Sequence, residues 1–192
     1  MYRLTRYWLN SPFGKEKGEW AYSVIDRKLF IETMIGTKSD LPLVEYKLHM
    51  CKGKIASSFR IEQRTGQAPI AVFLDQTGAA LPEEVGGKYQ RADTADTGMY
   101  AQVLKLSEIL GADFDYVRVD TYTLGNDIYF GELTIYSGSG FPTLENKESR
   151  RRWNKSWDLR DTWFLQTRHT GWKARYAGDL RAYLDIANRL SP

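Results

Sequence analysis

The sequence predicts an α+β fold built around an antiparallel sheet. Three observations carry this. Strand-like runs come first, at 28–35, 44–50, 54–63 and 69–75; a single helical pattern follows and ends at Leu110; the two strongest strand patterns, 114–124 and 128–136, then precede a final helical stretch. Elements grouped in this way, with no regular βαβ alternation, favour antiparallel pairing with helices packed on the sheet. A chain of 192 residues and 22.1 kDa suits one domain with an extension.

Residues 1–27 read as an N-terminal arm or short helix, polar and aromatic, with a turn at Ser11-Pro12-Phe13-Gly14. Lys28–Ile35 reads as a strand because Leu29, Phe30, Ile31, Met34 and Ile35 form a nearly continuous apolar run. Gly36 to Pro42 is a loop. Val44, Tyr46, Leu48 and Met50 alternate with Glu45, Lys47 and His49, the pattern of a half-buried strand. Lys52-Gly53 turns it into a second strand, and Pro69–Asp75 gives another, closed by Gln76-Thr77-Gly78. Residues 78–97 are loop. Asp96 or Thr97 caps a helix with Met99, Val103, Leu106 and Leu110 on one face, and Gly111 is its stop. The tail beyond Glu145 holds Arg150-Arg151-Arg152, four of the six Trp, and a helix near Lys173–Leu190 with Leu180, Leu184 and Ala187 on one face. The expected divisions are an arm at 1–27, an α+β domain at 28–144 and a Trp/Arg-rich helical extension at 145–192.

Composition narrows the function classes. Hydrophobic residues at 42% and charged residues at 27% describe a globular chain, and they exclude a disordered tail, a collagen-like chain and a coiled coil. A net charge of +3 gives little reason to expect nucleic acid. The single cysteine, Cys51, excludes an intrachain disulfide and paired-cysteine zinc motifs. No apolar run approaches the ~18 residues of a membrane span, and the N-terminus lacks a signal-peptide run, so a cytoplasmic protein with no membrane span is expected.

Chemistry shows in the hairpin 114–136. A three-residue turn centred on Asn126 pairs Leu124 with Ile128, Tyr122 with Phe130, Asp120 with Glu132 and Arg118 with Thr134. Opposed residues share a face, so Arg118, Asp120, Glu132 and Thr134 project together, with Val117, Val119, Thr121, Leu133 and Ile135 on the core side. Two carboxylates across a ladder repel unless a positive group joins them. Arg118 can do this, and so can a divalent cation: hard oxygen ligands suit Mg²⁺ shared with phosphate. The plainer reading is a solvated face with a surface ion pair. A slip of one residue would separate the two acids.

The same residues carry a resemblance. Arg118-Val119-Asp120, then Tyr129-Phe130-Gly131-Glu132-Leu133-Thr134, then Ser137-Gly138-Ser139-Gly140-Phe141 resemble the end of an ATP-grasp domain, and within that superfamily the TupA-like type of teichuronopeptide biosynthesis. Glu19-Trp20, Ile31-Glu32, Glu45-Tyr46-Lys47 and Lys52-Gly53-Lys54 also fit, so the likeness spans roughly residues 7–141. It implies an ATP-grasp C-terminal-lobe-like sheet with packing helices and a C-terminal helical tail. It also implies ATP held between two lobes, and a carboxylate activated as an acyl phosphate that an amine attacks. By resemblance Asp120 and Glu132 hold magnesium, and Thr134 stands where many members carry Asn. Arg118 would steady the transferring phosphate or the acyl oxyanion. Glu32 and the backbone of Thr33 and Met34 would face adenine, and Glu45 the ribose hydroxyls. Lys47, Lys52 and Arg60 are candidate phosphate contacts, surface strand residues by default. Gly138-Ser139-Gly140 is a candidate lip for substrate or phosphate.

The family has an earlier lobe with a Gly-rich lid, and none is found before Lys28. The chain therefore reads as the C-terminal portion of the fold, needing a missing N-terminal lobe or a second copy as a homo-oligomer; an exposed apolar strip along Leu29, Ile31 or Met34 would be consistent with a lost neighbour. The expected function is the ATP/Mg-binding part of a carboxylate–amine ligase in polysaccharide or peptide modification, with a small-molecule or saccharide carboxylate and an amine acceptor as partners. A noncatalytic nucleotide-binding or interaction module is the alternative. A third reading grips nucleic acid with Arg150-Arg151-Arg152, Trp153 and Trp157, against the default of Trp packed inward. His49 and His169 form no metal motif and read as structural, and Ser107 and Ser137 lack a His partner.

Overall fold

A computed structural model describes residues 2–36, 41–62, 69–82, 89–91, 98–140 and 147–190. Six strands form one sheet: β1 (Leu43–Cys51), β2 (Lys54–Glu62), β3 (Ile70–Leu74), β4 (Gln90–Arg91), β5 (Val117–Leu124) and β6 (Asp127–Thr134). Their spatial order is β4-β3-β2-β1-β5-β6, with every pair antiparallel except β3 and β4. The helices are α1 (Tyr2–Asn10), α2 (Tyr100–Gly111), α3 (Lys147–Ser156), α4 (Trp163–Gln166) and α5 (Gly171–Leu190). The architecture is the expected α+β, with helices segregated from a mainly antiparallel sheet. Among the described residues no helix is long and apolar enough to cross a membrane.

One face of the sheet is the hydrophobic core. Tyr46, Leu48 and Met50 of β1 stand beside Val117 and Val119 of β5 and join Val72 and Leu74 of β3; α2 covers them with Tyr100 and Val103. Tyr100, Val103, Ser107 and Gly111 form the buried stripe of α2, so the face predicted around Leu106 is rotated. α2 ends at Gly111, where the sequence places its stop, without a left-handed cap at that residue. A Cβ at Gly111 would lie 2.8 Å from Met50 Cβ, so glycine lets α2 approach β1. Met99 caps α2 without a side-chain bond; Asp96 and Thr97 lie outside the described residues. In α5, Ala177 is buried and Leu180, Leu184 and Ala187 are half-buried, the face read from the sequence.

Two expectations fail. β1 is not half-buried: residues 45–51 are all buried, polar positions included. Its alternation is real, but β1 is central and a second layer covers its polar face. There α3 packs on β2, and Trp153 meets His49 with ring centroids 4.7 Å apart. The run 28–35 forms no strand. Leu29, Phe30, Ile31 and Met34 are exposed, and the segment lies across a cleft from β6, the edge strand, without pairing with it.

Candidate functional site

The β5–β6 hairpin turns through two residues, not three. Gly125 and Asn126 connect Leu124 to Asp127, and Tyr122 faces Tyr129. The expected pairs at the turn are therefore each off by one, Leu124 facing Asp127 rather than Ile128. Between Asp120 and Thr121 the ladder is interrupted: Thr121 faces Phe130, Asp120 faces Glu132, and Gly131 is the extra residue of a β-bulge. Beyond it Arg118 faces Thr134. The site pairs are those the sequence predicts, reached by a shorter turn plus a bulge. Without that bulge Glu132 would oppose Val119 and face the core.

The register carries the site across three strands, since β1 sets Lys47 beside Asp120 and Glu45 beside Tyr122. Asp120 is the centre, with its side chain 2% exposed. Arg118 grips it bidentately, Nε to Oδ1 at 2.6 Å and Nη2 to Oδ2 at 2.7 Å. Lys47 Nζ donates to the same Oδ2 and pairs with Glu45 Oε1 at 2.6 Å. Arg118 Nη2 also lies 2.7 Å from Glu132 Oε1 and 3.0 Å from Thr134 Oγ1, while Nη1 donates to Ser137 Oγ at 3.2 Å. Thr134 Oγ1 donates to Glu132 Oε1 at 3.1 Å. Glu132, 60% exposed, is the end of the row open to solvent.

These contacts set the charge states. Burial alone would raise the Asp120 carboxyl, but hydrogen bonds and charge from Arg118 and Lys47 outweigh it and hold its pKa below the usual value. Burial opposes the charge on Arg118, and the Asp120 contact more than restores it. His49 follows Lys47 on the same face of β1. Burial first, and the charge of Arg118 second, push its pKa down to about 3, so it is neutral; its Nδ1 lies 2.8 Å from the Tyr116 hydroxyl. Burial raises Tyr116 to about 12.

The expected residues divide by place. Arg118, Asp120, Glu132, Thr134, Glu45 and Lys47 form the single cluster above. Glu32, Thr33 and Met34 line a cleft of about 750 Å³ whose opposite wall includes Tyr122, Tyr129 and Glu132. Glu45, expected at the ribose, is 2% exposed and ion-paired to Lys47. Lys47, expected on the surface, is buried as the cation between two acids. Arg60 pairs with Tyr46 in register, hence lies on the core face away from the cluster, 2.9 Å from Glu62. Lys52 is exposed and donates to the Asp161 carbonyl. Trp153 and Trp157 pack inward, with Trp157 stacked on Tyr116, and His169 lies on Phe164. Ser137 was legible only as part of a Gly-rich turn, and Tyr116 carried no signal.

The donor set fits a hard cation. Three oxygens, from two carboxylates and a hydroxyl, already converge on one positively charged atom, Arg118 Nη2. A cation there requires the guanidinium to give way. No cluster of three or more His, Cys, Asp or Glu able to hold a metal exists among the described residues, so Thr134 and non-protein oxygens would complete the shell. Compared with known families, residues 3–153 match the model described as TupA-like ATPgrasp. No match is found among curated proteins or solved structures.

Proposed function

Since the chain belongs to the TupA-like ATP-grasp family, we propose that this ATP-grasp-type domain serves a carboxylate–amine ligase of polysaccharide or peptide modification, with the Asp120 cluster as its Mg²⁺–ATP site. The observation that carries the reading is the convergence of Asp120, Glu132 and Thr134 on one cation position beside the cleft of Glu32, Thr33 and Met34. Phosphoryl transfer asks for positioning and positive charge more than for a protein nucleophile.

Asp120, Glu132 and Thr134 would hold Mg²⁺, which supplies neutralising charge to the phosphates when bound. Arg118, freed from Glu132, reaches the transferring phosphoryl group or the acyl oxyanion while its Nε stays on Asp120. Glu32 and the Thr33–Met34 backbone take the adenine in the cleft. Glu45 acts through Lys47: it holds the ammonium that keeps Asp120 ionised and turned toward the hairpin. Glu132 is exposed, so Glu132→Gln tests the site with little effect on the fold. Calorimetry with Mg–ATP is expected to show at least about tenfold weaker binding for the variant, some 1.4 kcal/mol. Equal binding by both proteins removes Glu132 from the metal site.

A second reading, nucleotide binding without turnover, draws on Asp120 itself, both of whose oxygens are taken by Arg118 and Lys47. Phosphate release from ATP with a panel of uronic acids and amino acids separates the two.

A further inference from the structure

The helix α5 lies beyond residues 3–153, the stretch that matches the family. It carries two apolar stripes. The first faces the body of the protein: Ala177 is buried, and Leu180, Leu184 and Ala187 are half-buried. Among the described residues α4 is the element packed most closely on α5, with Phe164 and Tyr176 rings 5.8 Å apart at their centroids and Arg181 Nη2 donating to the Leu165 carbonyl. The second stripe faces solvent. Trp172, Tyr176, Tyr183 and Ile186 are 73%, 55%, 67% and 57% exposed.

With Asp179 included, the second stripe runs Trp172, Tyr176, Asp179, Tyr183, Ile186, at spacings of four, three, four and three residues. A single line at that 3.5-residue period is the seam along which one helix packs on another. Scattered exposed apolar side chains need no explanation, but three aromatics and an isoleucine in one line do.

Asp179 selects the occupant. A lipid surface would accept the apolar side chains but not a carboxylate in the middle of their line. A parallel second copy would set Asp179 against Asp179, two like charges at one level. An antiparallel second copy does the opposite. Aligned so that Asp179 meets the second copy's Tyr183, a phenol hydroxyl is placed to donate to the carboxylate, and Tyr176 meets the second copy's Ile186. Two-fold symmetry repeats both layers, so the stripe is complementary to itself. Aromatic side chains bury roughly 150–250 Å² each, so at these exposures the three offer on the order of 400 Å² per copy. Two copies, with Ile186 and the flanking side chains, reach about the 1,000 Å² at which specific interfaces begin.

We propose that α5 is a self-association surface on which two copies of this chain pair antiparallel along Trp172, Tyr176, Asp179, Tyr183 and Ile186. Asp179 fixes orientation and register, as a lone polar residue in a helical seam does. An interface of this size forms a reversible dimer, with a dissociation constant on the order of 10 µM. The pairing uses no residue of the Asp120 cluster, so its failure leaves the ATP-site reading untouched.

Sedimentation equilibrium of the full chain, from about 1 to about 200 µM, is expected to show a monomer–dimer equilibrium with its midpoint near that constant. Tyr183→Glu sets a second acid against Asp179 and should weaken the dimer about tenfold or more. Ala174→Glu, exposed on another side of α5, should leave it unchanged. Ile186→Lys, which breaks the layer with Tyr176, carries the test should Tyr183→Glu fail to fold. Orientation is read by oxidative cross-linking. A mixture of Tyr176→Cys and Ile186→Cys chains should link efficiently, and neither variant alone should; Asp179→Cys alone links efficiently only in a parallel pair. Cys51 is buried, and burial raises its thiol to about 12, so it stays out of the reaction. A monomer at the highest concentration, a dimer unaffected by Tyr183→Glu and Ile186→Lys, or cross-linking of Asp179→Cys in place of the mixed pair overturns the proposal.

Discussion

Gly131 is where backbone geometry decides the chemistry, and Gly131→Ala probes it directly. A Cβ at this position would lie 2.8 Å from Tyr122 Cε2 and 2.9 Å from the Asp120 carbonyl oxygen, against ordinary contacts of about 3.5–4.0 Å. The Tyr122 ring can turn aside. The Asp120 carbonyl cannot, because it belongs to the ladder that the bulge interrupts. Relief of roughly 0.6 Å must come from the backbone, and overpacking of this kind costs about 1–3 kcal/mol. Urea unfolding should show stability lowered by that amount, read as a lower midpoint with an unchanged slope. Mg–ATP binding should fall as well, since any slip toward the unbulged register carries Glu132 to the face of Val119. Deleting Gly131 is the informative control: it removes the extra residue while leaving Asp120 opposite Glu132, so binding should survive better than in Gly131→Ala. A Gly131→Ala protein within about 0.5 kcal/mol of wild type, with full Mg–ATP affinity, would refute the argument that the bulge needs glycine.

Two further expectations concern the buried charges. Arg118→Lys keeps the charge but loses the bidentate grip, leaving Ser137, Thr134 or an Asp120 oxygen without its donor; a loss of about 1–3 kcal/mol in urea unfolding is expected, and wild-type stability would show that charge alone suffices. His49 predicts a pH dependence: burial holds its folded pKa at about 3, far below the 6.5 of an exposed imidazole. Its folded pKa is depressed, so the unfolded chain binds the proton first, and stability present above pH 6.5 is lost as pH falls toward 3, by about 1.4 kcal/mol per pH unit. His49→Gln should lack that component, and parallel stability curves for the two proteins between pH 7 and 4 would show that His49 takes up its proton in the folded state.

The fold was legible where a local pattern maps onto one layer. The α2 periodicity, the β1–β2 hairpin closed by Lys52-Gly53 and the paired strands β5 and β6 were all visible, because each is stated within some twenty residues. The run at 28–35 misled for the converse reason. Its apolar residues meet every local criterion for a strand, yet the segment pairs with neither edge strand, β4 nor β6. Gly111 ends α2 as the sequence indicates, but for a reason that local pattern does not state. Glycine at a helix end usually marks a left-handed cap, but here it marks the closest approach of helix and strand, a tertiary fact.

The site was half legible, and the missing half explains the rest. Acids opposed on a hairpin can be read from spacing, and the turn and bulge errors cancelled at Asp120 and Glu132. Burial of Glu45 and Lys47 cannot be read, because alternating charges along one strand look the same under solvent and under a second layer. That burial is also the strongest argument for chemistry in this row. Glu45, Asp120 and Glu132 bring three formal negative charges to this row and Lys47 and Arg118 two positive ones, so the formal sum over these five side chains is −1. Buried ion pairs roughly break even against apolar residues of similar volume, so stability alone gives little reason to keep five charges across three strands. An excess negative charge ending at a solvent-exposed carboxylate is, however, what a site that recruits a divalent cation needs. The internal cations hold Asp120 ionised and oriented, and Glu132 leaves the remaining charge where a ligand from solution can meet it.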